Sequence, residues 1–321
     1  MTERVSPQGG SGWAIAISVS AVVAVLAIAG TWFVMSQRRK AVPDDTPAPT
    51  EEYGRRLIAQ TSWLIGPDHP DPARRFAGNR LNCGSCHIGA GQSPGTLSLV
   101  ETFGKYPRFS GRDGKEADLK ERIDGCMERS MNGRTLPHDS VDMNAMVAYI
   151  RSLSDQWIAT SPSRRVVVES PSLRLPARAA DLVNGKAVYE DRCRVCHGKN
   201  GEGLFASPDK RRGYVLPPLW GDDTFNNGAG MGRVITAARF IKARMPLGRS
   251  DLTDDQAFDV AAYINAMPRP QMDTATLERD YPDRTTKPID SPYPPWADPF
   301  PAEQHRFGPF QPIEKWKPGS R

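Results

Sequence analysis

One short motif occurs twice in this chain and constrains it more than any other feature. Cys83-Gly-Ser-Cys86-His87 and Cys193-Arg-Val-Cys196-His197 have the same spacing. Two thiols three positions apart can form thioethers to the two vinyl groups of one haem, and the next histidine then lies under the iron. The motifs therefore predict two covalently bound haem c groups, attached through Cys83, Cys86, Cys193 and Cys196 and ligated by His87 and His197.

Other uses of such cysteine pairs are a thioredoxin-like dithiol, a disulfide framework and a structural zinc site. A zinc site with four cysteine ligands requires both pairs to converge on one ion, and both adjacent histidines would then be coincidental. Two copies of the complete five-residue motif favour haem.

The motifs belong to an internal repeat. Each is followed by an apolar segment with helical periodicity and a similar core, Met146-Val-Ala-Tyr-Ile150 in one copy and Val260-Ala-Ala-Tyr-Ile264 in the other. The sequence therefore predicts a mostly α fold with two cytochrome c-like domains, over residues 51–155 and 178–268. Residues 156–177 contain prolines and are interpreted as a linker.

The two ends of the chain differ from the repeats. Residues 41–50 are proline-rich and predict a spacer. Residues 269–321, called the C-terminal arm below, are rich in proline and have little helical periodicity. Their scattered aromatic residues favour an arm that packs on the globular part, and disorder is the alternative.

Residues 1–40 contain an apolar segment, Trp13 to Met35, without a charged residue. At about 1.5 Å per residue it reaches roughly 35 Å, enough for a transmembrane helix. A cleaved signal peptide is the alternative, because Ala27-Ile-Ala29 resembles a cleavage site.

The orientation of this segment has two conflicting signals. Arg38 to Lys40 follow the segment, and by the positive-inside rule they favour a cytoplasmic location for that end. Covalent haem and an oxidising compartment favour the opposite orientation, so we expect an anchored protein on the periplasmic side of a bacterial inner membrane.

The net charge is +5 and the isoelectric point is about 9.0. No basic run with interleaved aromatic residues accompanies this charge, which argues against nucleic acid as a partner. A modest positive field suits an anionic substrate or an acidic protein partner.

The second haem needs a ligand on its other face. Met245 is the candidate, because the following proline favours an extended backbone and a thioether that projects from a loop. Histidine–methionine ligation raises the reduction potential, as an electron exit requires. Met231 and Lys242 are the rival ligands.

For the first haem the candidate ligands are Cys126, Met127, Met131 and His138. Asp113 and Glu116 have the spacing of a capping box and Gly133 is a plausible stop, which predicts a helix near residues 114–132. On that helix Arg122, Cys126 and Ser130 share one stripe. Cys126 is either a small buried hydrophobe or an iron ligand, and an unpaired thiol in an oxidising compartment favours ligation.

Several segments together resemble the thiosulfate dehydrogenase family of dihaem cytochromes c, over roughly residues 51–268. They are Leu81–His87, Phe103-Gly-Lys-Tyr-Pro107, Arg112, Cys126-Met-Glu-Arg-Ser-Met-Asn-Gly133, Met146–Ile150, Phe240-Ile-Lys and Met245-Pro-Leu-Gly248. The resemblance implies two cytochrome c domains that couple two thiosulfate ions to tetrathionate, or run the reverse reaction, and pass electrons to a redox-partner cytochrome or another acceptor.

The same resemblance implies roles for individual residues. It gives the active-site haem His87 and Cys126 as ligands, and the second haem His197 with Met245. It also implies Arg112, Arg122 and Ser130 as substrate-site residues beside Cys126. Arg244 precedes Met245 where a lysine would permit a ligand switch, so that switch looks unavailable here.

Two other classes of function compete with this one. A membrane-tethered dihaem cytochrome could relay electrons without catalysis, and a sulfur-anion-binding module could bind without turnover. The stripe of Arg122, Cys126 and Ser130 argues against a simple carrier, since a carrier needs no anion pocket beside its iron.

Overall fold

The computed structural model describes residues 48–93, 95, 97–160 and 172–316. The predicted anchor over residues 1–40 and most of the predicted spacer lie outside these ranges. Within the described ranges, no helix is long and apolar enough to cross a membrane. The described chain is mostly helical, and its strands form two short antiparallel hairpins.

The first domain is built on the packing of its first helix against its last. Its elements are α1 Glu51–Ala59, α2 Thr61–Ile65, β1 Arg108–Ser110, β2 Lys115–Ala117, α3 Leu119–Arg129 and α4 Val141–Thr160, with 3₁₀ turns at Pro72–Arg74, Cys83–Ser85 and Phe103–Lys105. Helices α1 and α4 cross at Gly54, where an added Cβ would lie 2.0 Å from the Ala145 carbonyl oxygen. The crossing therefore requires glycine.

The second domain repeats this arrangement. Its elements are α5 Leu182–Arg192, α6 Arg194–His197, β3 Leu204–Phe205, β4 Tyr214–Leu216, α7 Val234–Arg244 and α8 Asp254–Ala266, with a 3₁₀ turn at Gly230–Gly232. Helices α5 and α8 cross at Gly185, where a Cβ would lie 2.2 Å from the Asp259 carbonyl oxygen.

The crossings explain the repeated sequence Ala-Tyr-Ile. Tyr149 of α4 places its Cβ 2.7 Å from where a Gly54 side chain would begin, and Tyr263 of α8 lies 2.9 Å from the equivalent point at Gly185. Each tyrosine thus covers the glycine of the domain's first helix. The two helix pairs give each cytochrome c-like domain the same frame.

The C-terminal arm packs on both domains. It forms α9 Thr274–Arg279, a 3₁₀ turn at Arg284–Thr286, α10 Ala302–Phe307 and α11 Gln311–Lys315. Phe307, Phe310 and Ile313 are buried in the core of the second domain. Asp280 pairs with Arg129 at the end of α3, with both side chains less than 10% exposed. The arm therefore joins the two domains through both apolar and ionic contacts.

One predicted helix boundary was wrong. The helix expected from residue 114 begins at Leu119, because Asp118 and Glu121 form the capping box and residues 115–117 pair with β1. Helix α4 continues to Thr160, into the segment interpreted as a linker, since no proline interrupts it before Pro162.

Candidate active site

The histidines of the two repeated motifs have matching environments. His87 Nδ1 lies 2.6 Å from the carbonyl oxygen of Leu97, and His197 Nδ1 lies 2.8 Å from that of Pro217. A carbonyl at Nδ1 fixes the proton there and leaves Nε2 as the metal ligand. Burial lowers the pKa of both histidines, which favours the neutral form that binds metal. Both sites therefore fit a haem iron.

The cysteines also fit haem attachment. All five are free thiols. The described residues contain no cluster of three or more histidine, cysteine or acidic side chains suited to a metal ion.

A cavity of about 600 Å³ lies beside the first motif, within the usual size range of cofactor and ligand sites. Its walls include His87 and both cysteines of the first motif. They also include all four residues proposed for the substrate site, Arg112, Arg122, Cys126 and Ser130. Residues that lie up to 47 positions apart in the sequence, from Cys83 to Ser130, therefore meet at one cavity.

Helix α3 carries two of these four residues, Arg122 and Cys126, and Ser130 follows it as the C-cap. Its start is fixed by the Asp118 side chain, which accepts from the Glu121 amide at 2.9 Å. One turn separates Arg122 from Cys126, and the Arg122 guanidinium donates to Cys126 Sγ at 3.2 Å. Ser130 caps the helix, and its amide donates to the Cys126 carbonyl. The stripe inferred from the sequence is therefore present, although the helix starts later than expected.

The other candidate ligands of the first haem are placed differently. Met127 is 1% exposed within the core of the first domain. His138 is absent from the cavity wall and lies 2.8 Å from Asp124. Met131 belongs to the same core and also reaches the cavity. Of the four candidates, Cys126 is the one that lies at the cavity with an arginine bound to its sulfur.

Arg112 approaches from the tip of the β1–β2 hairpin. Burial alone lowers the pKa of Arg112, but Tyr281, Tyr293 and Asp280 of the C-terminal arm raise it above its ordinary value. The pKa of Arg122 is also raised, chiefly by Cys126, while Arg112 works in the opposite direction. Both guanidinium groups remain charged, and the two positive charges repel each other.

Sequence reasoning missed several residues of the cavity wall. Arg233 and Met231 come from the second domain, and Tyr281 comes from the C-terminal arm. The Arg233 side chain is paired with buried Asp290 at 2.8 Å. Tyr106 lies in a segment quoted for the family resemblance, but no local signal marked it as a wall residue.

The candidate ligands of the second haem lie near the end of α7. Met245 follows the helix directly in an extended conformation, as the next proline predicts. Met231 and Met245 both pack against the core of the second domain together with Cys193. The Lys242 amine donates to the Leu252 carbonyl at 2.6 Å and pairs with Asp254. Lys242 is thus engaged elsewhere.

Comparisons with known proteins agree with this two-domain description. A family model described as "SoxA/TsdA, cytochrome c domain" matches residues 75–157. A model described as "Cytochrome C oxidase, cbb3-type, subunit III" matches residues 180–264. The frame and the two motifs therefore define a dihaem c-type cytochrome, with covalently bound haem c in both domains.

Several relatives narrow this class. The thiosulfate dehydrogenase of Psychrobacter arcticus is 38% identical over 248 residues, which cover 75% of this chain and 71% of that protein. The thiosulfate dehydrogenase of Allochromatium vinosum is 38% identical over 237 residues, covering 71% and 82%. The chain belongs to the thiosulfate dehydrogenase family.

A solved structure is also similar. The "as isolated" thiosulfate dehydrogenase (TsdBA) of Marichromatium purpuratum matches with a TM-score of 0.61 and 33% identity. The match covers 74% of this chain, which spans 49% of that longer one.

Proposed function

We propose that this protein oxidises two thiosulfate ions to one tetrathionate ion and releases two electrons. The observation that carries the proposal is the shared cavity, where Arg112, Arg122, Cys126 and Ser130 meet the first haem motif. The relatives' thiosulfate dehydrogenase activity supports it.

The chain's own residues would hold the two haem groups as follows. His87 and Cys126 would ligate the first iron, and His197 and Met245 the second. The bound haems supply the redox chemistry, in which each iron accepts one electron at a time. Histidine–methionine ligation suits the second haem to electron exit.

Arg112 and Arg122 can offset the repulsion between the two thiosulfate dianions. Two thiosulfate dianions about 4 Å apart repel each other by roughly 4 kcal/mol in water, and by more in a partly dry site. Arg112 and Arg122 can each form paired hydrogen bonds with sulfonate oxygens. Ser130 adds a hydroxyl donor at the cavity wall. These groups offset the repulsion and orient the two outer sulfur atoms towards each other.

Cys126 is proposed to take part in the chemistry as well. Its thiolate would form an S–S bond to the outer sulfur of one thiosulfate, and the two electrons lost in that step would go one to each bound haem. The second thiosulfate then attacks that same sulfur, the bond to Cys126 breaks, and tetrathionate and the thiolate are released. The 3.2 Å contact from Arg122 stabilises the negative sulfur before and after this step.

We place this activity in the periplasm, where haem attachment and thiol chemistry are compatible. Residues 1–40 would anchor the protein to the inner membrane. A redox-partner cytochrome or another acceptor would take the electrons from the second domain.

The test is steady-state thiosulfate oxidation and tetrathionate reduction by the full-length protein with artificial redox partners. Wild type should turn over, and Cys126→Ala and Cys126→Gly should lose tetrathionate formation while both haems remain attached. His69→Gln is the matched control, because His69 contacts Asp71 and neither residue lines the cavity. It should retain turnover.

The alternatives give different results. A simple electron carrier would show no spectral change when thiosulfate alone is added, and an anion-binding module would bind thiosulfate without a steady-state rate. Retained tetrathionate formation in both Cys126 variants would contradict the proposed role of the thiolate.

A further inference from the structure

The C-terminal arm forms part of the cavity wall. Tyr281 and Thr286 line the cavity together with Arg112. These two arm residues lie well over 150 positions from the hairpin that carries Arg112. The arm is therefore in contact with the proposed substrate site, and it is more than a covering of the second domain.

Three contacts hold the hairpin tip against the arm. The Tyr281 amide donates to the Arg112 carbonyl at 2.7 Å. Thr286 donates to the Gly111 carbonyl at 3.3 Å. Pro282 occupies the space where a side chain at Gly114 would begin, with its Cγ 2.5 Å from that point. Arg112 is thus fixed on both sides of its own position.

The Tyr281 ring also faces the charged group. The Arg112 guanidinium carbon lies 5.8 Å from the centre of the ring, within the range of a cation–π contact. Tyr281 is buried, with 7% of its surface exposed. A tyrosine at this place can orient the guanidinium as well as hold the loop.

The backbone at Tyr281 is strained and actively held. Its φ is 57°, in the left-handed region that a bulky residue rarely adopts. Arg284 donates to the carbonyl oxygens of Glu278, Asp280 and Tyr281 and so secures this turn. The buried pair of Asp280 with Arg129 fastens the same turn to α3, and Tyr293 donates to the second oxygen of Asp280.

We infer that Tyr281 is a positioning residue that holds Arg112 in the orientation that binds the anionic substrate. The inference rests on the proposed function and extends it to the arm. Tyr281 acts through the guanidinium and takes no part in electron or sulfur transfer. Losing its ring should weaken substrate binding more than the chemical step.

The test compares two substitutions of Tyr281 in the full-length haem-loaded protein. Asparagine tolerates the left-handed conformation, so Tyr281→Asn removes the ring while it preserves the turn. We expect KM for thiosulfate to rise about fivefold to tenfold, as loss of a cation–π contact predicts, with kcat within about twofold of wild type. Tyr281→Phe keeps the ring and should restore KM. Failure of phenylalanine to restore it would overturn the inference.

Trp296→Leu is the matched control. Trp296 stacks on His305 in the same arm, with ring centres 4.4 Å apart. Its loss should lower the melting temperature without changing KM. An equal rise of KM in Trp296→Leu would mean that general loosening of the arm is responsible, and the inference would fail.

Titration calorimetry of the oxidised protein with thiosulfate separates this inference from the proposed function. Wild-type binding that weakens in Tyr281→Asn supports the inference even if no turnover occurs. Wild-type turnover with unchanged binding and KM in Tyr281→Asn rejects the inference and leaves the proposed function standing.

Discussion

Replacing Arg122 by glutamine should lower kcat/KM for thiosulfate about 100-fold. Arg122 lies one turn from Cys126, with its guanidinium 3.2 Å from the sulfur, at the cavity wall. A hydrogen bond to a charged group contributes about 1.5–3 kcal/mol. A guanidinium can form two such bonds to one anion. One Arg122 donor already bonds to Cys126 Sγ, so fewer donors are left for the substrate. We therefore take a loss of about 3 kcal/mol, where 1.4 kcal/mol is a factor of ten.

Arg122→Lys refines the test. Lysine keeps the charge but lacks the planar pair of donors, so its kcat/KM should fall only about tenfold. The assay is steady-state thiosulfate oxidation with an artificial electron acceptor, after spectroscopy has shown that both haems are attached. Arg151→Gln is the control, because it removes the same charge from an exposed pair with Asp155.

Ionic strength distinguishes direct contact from a general field effect. Exposed charges are largely screened beyond about 8 Å at physiological salt, whereas partly buried pairs are screened less. The Arg122→Gln defect should therefore persist at high salt, and any effect of Arg151→Gln should disappear. A defect at Arg122 that vanishes with salt, or equals that of Arg151→Gln, would refute the direct contact with substrate.

Three further predictions concern stability and the second haem. Asp280→Asn leaves the buried Arg129 without its counter-charge, so it should lower the free energy of unfolding by about 3–5 kcal/mol. Thermal melting measures this loss, and an unchanged melting temperature would contradict the prediction. Gly185→Ala places a Cβ 2.2 Å from the Asp259 carbonyl and should destabilise the protein by about 2 kcal/mol in denaturant titrations, whereas Gly104→Ala meets nothing within 4 Å and should be neutral. Met245→Ala should lower the reduction potential of the second haem in a redox titration. Lys242→Ala should leave that potential unchanged, because the Lys242 amine is paired with Asp254. A shift in the Lys242 variant alone would mean that Lys242, and not Met245, is the iron ligand.

Local patterns in the sequence were sufficient for the frame of the fold. The repeated Ala-Tyr-Ile segments lie on α4 and α8, where Tyr149 and Tyr263 cover Gly54 and Gly185. The spacing of Arg122 and Cys126 likewise predicted correctly that the two side chains are neighbours. Residues four apart on a helix are neighbours wherever that helix begins.

Features that depend on distant pairing were not predictable from one sequence. Asp113 with Glu116 and Asp118 with Glu121 have the same spacing, and the strand pairing of residues 115–117 decides between them. Arg233 and Tyr281 reach the cavity from the second domain and the arm, and neither has a local motif. Tertiary contacts alone bring them to the site.

The contact between the arm and the hairpin has a consequence for the order of events during biosynthesis. Arg112 is made early, and Tyr281, whose amide binds the Arg112 carbonyl, is made 169 residues later. At about 5–20 residues per second, roughly 10 to 30 s separate the two. During that interval the nascent first domain lacks one wall of its cavity, so an unfinished or truncated chain has an incomplete wall at the proposed anion site even after its first cysteine pair has been made.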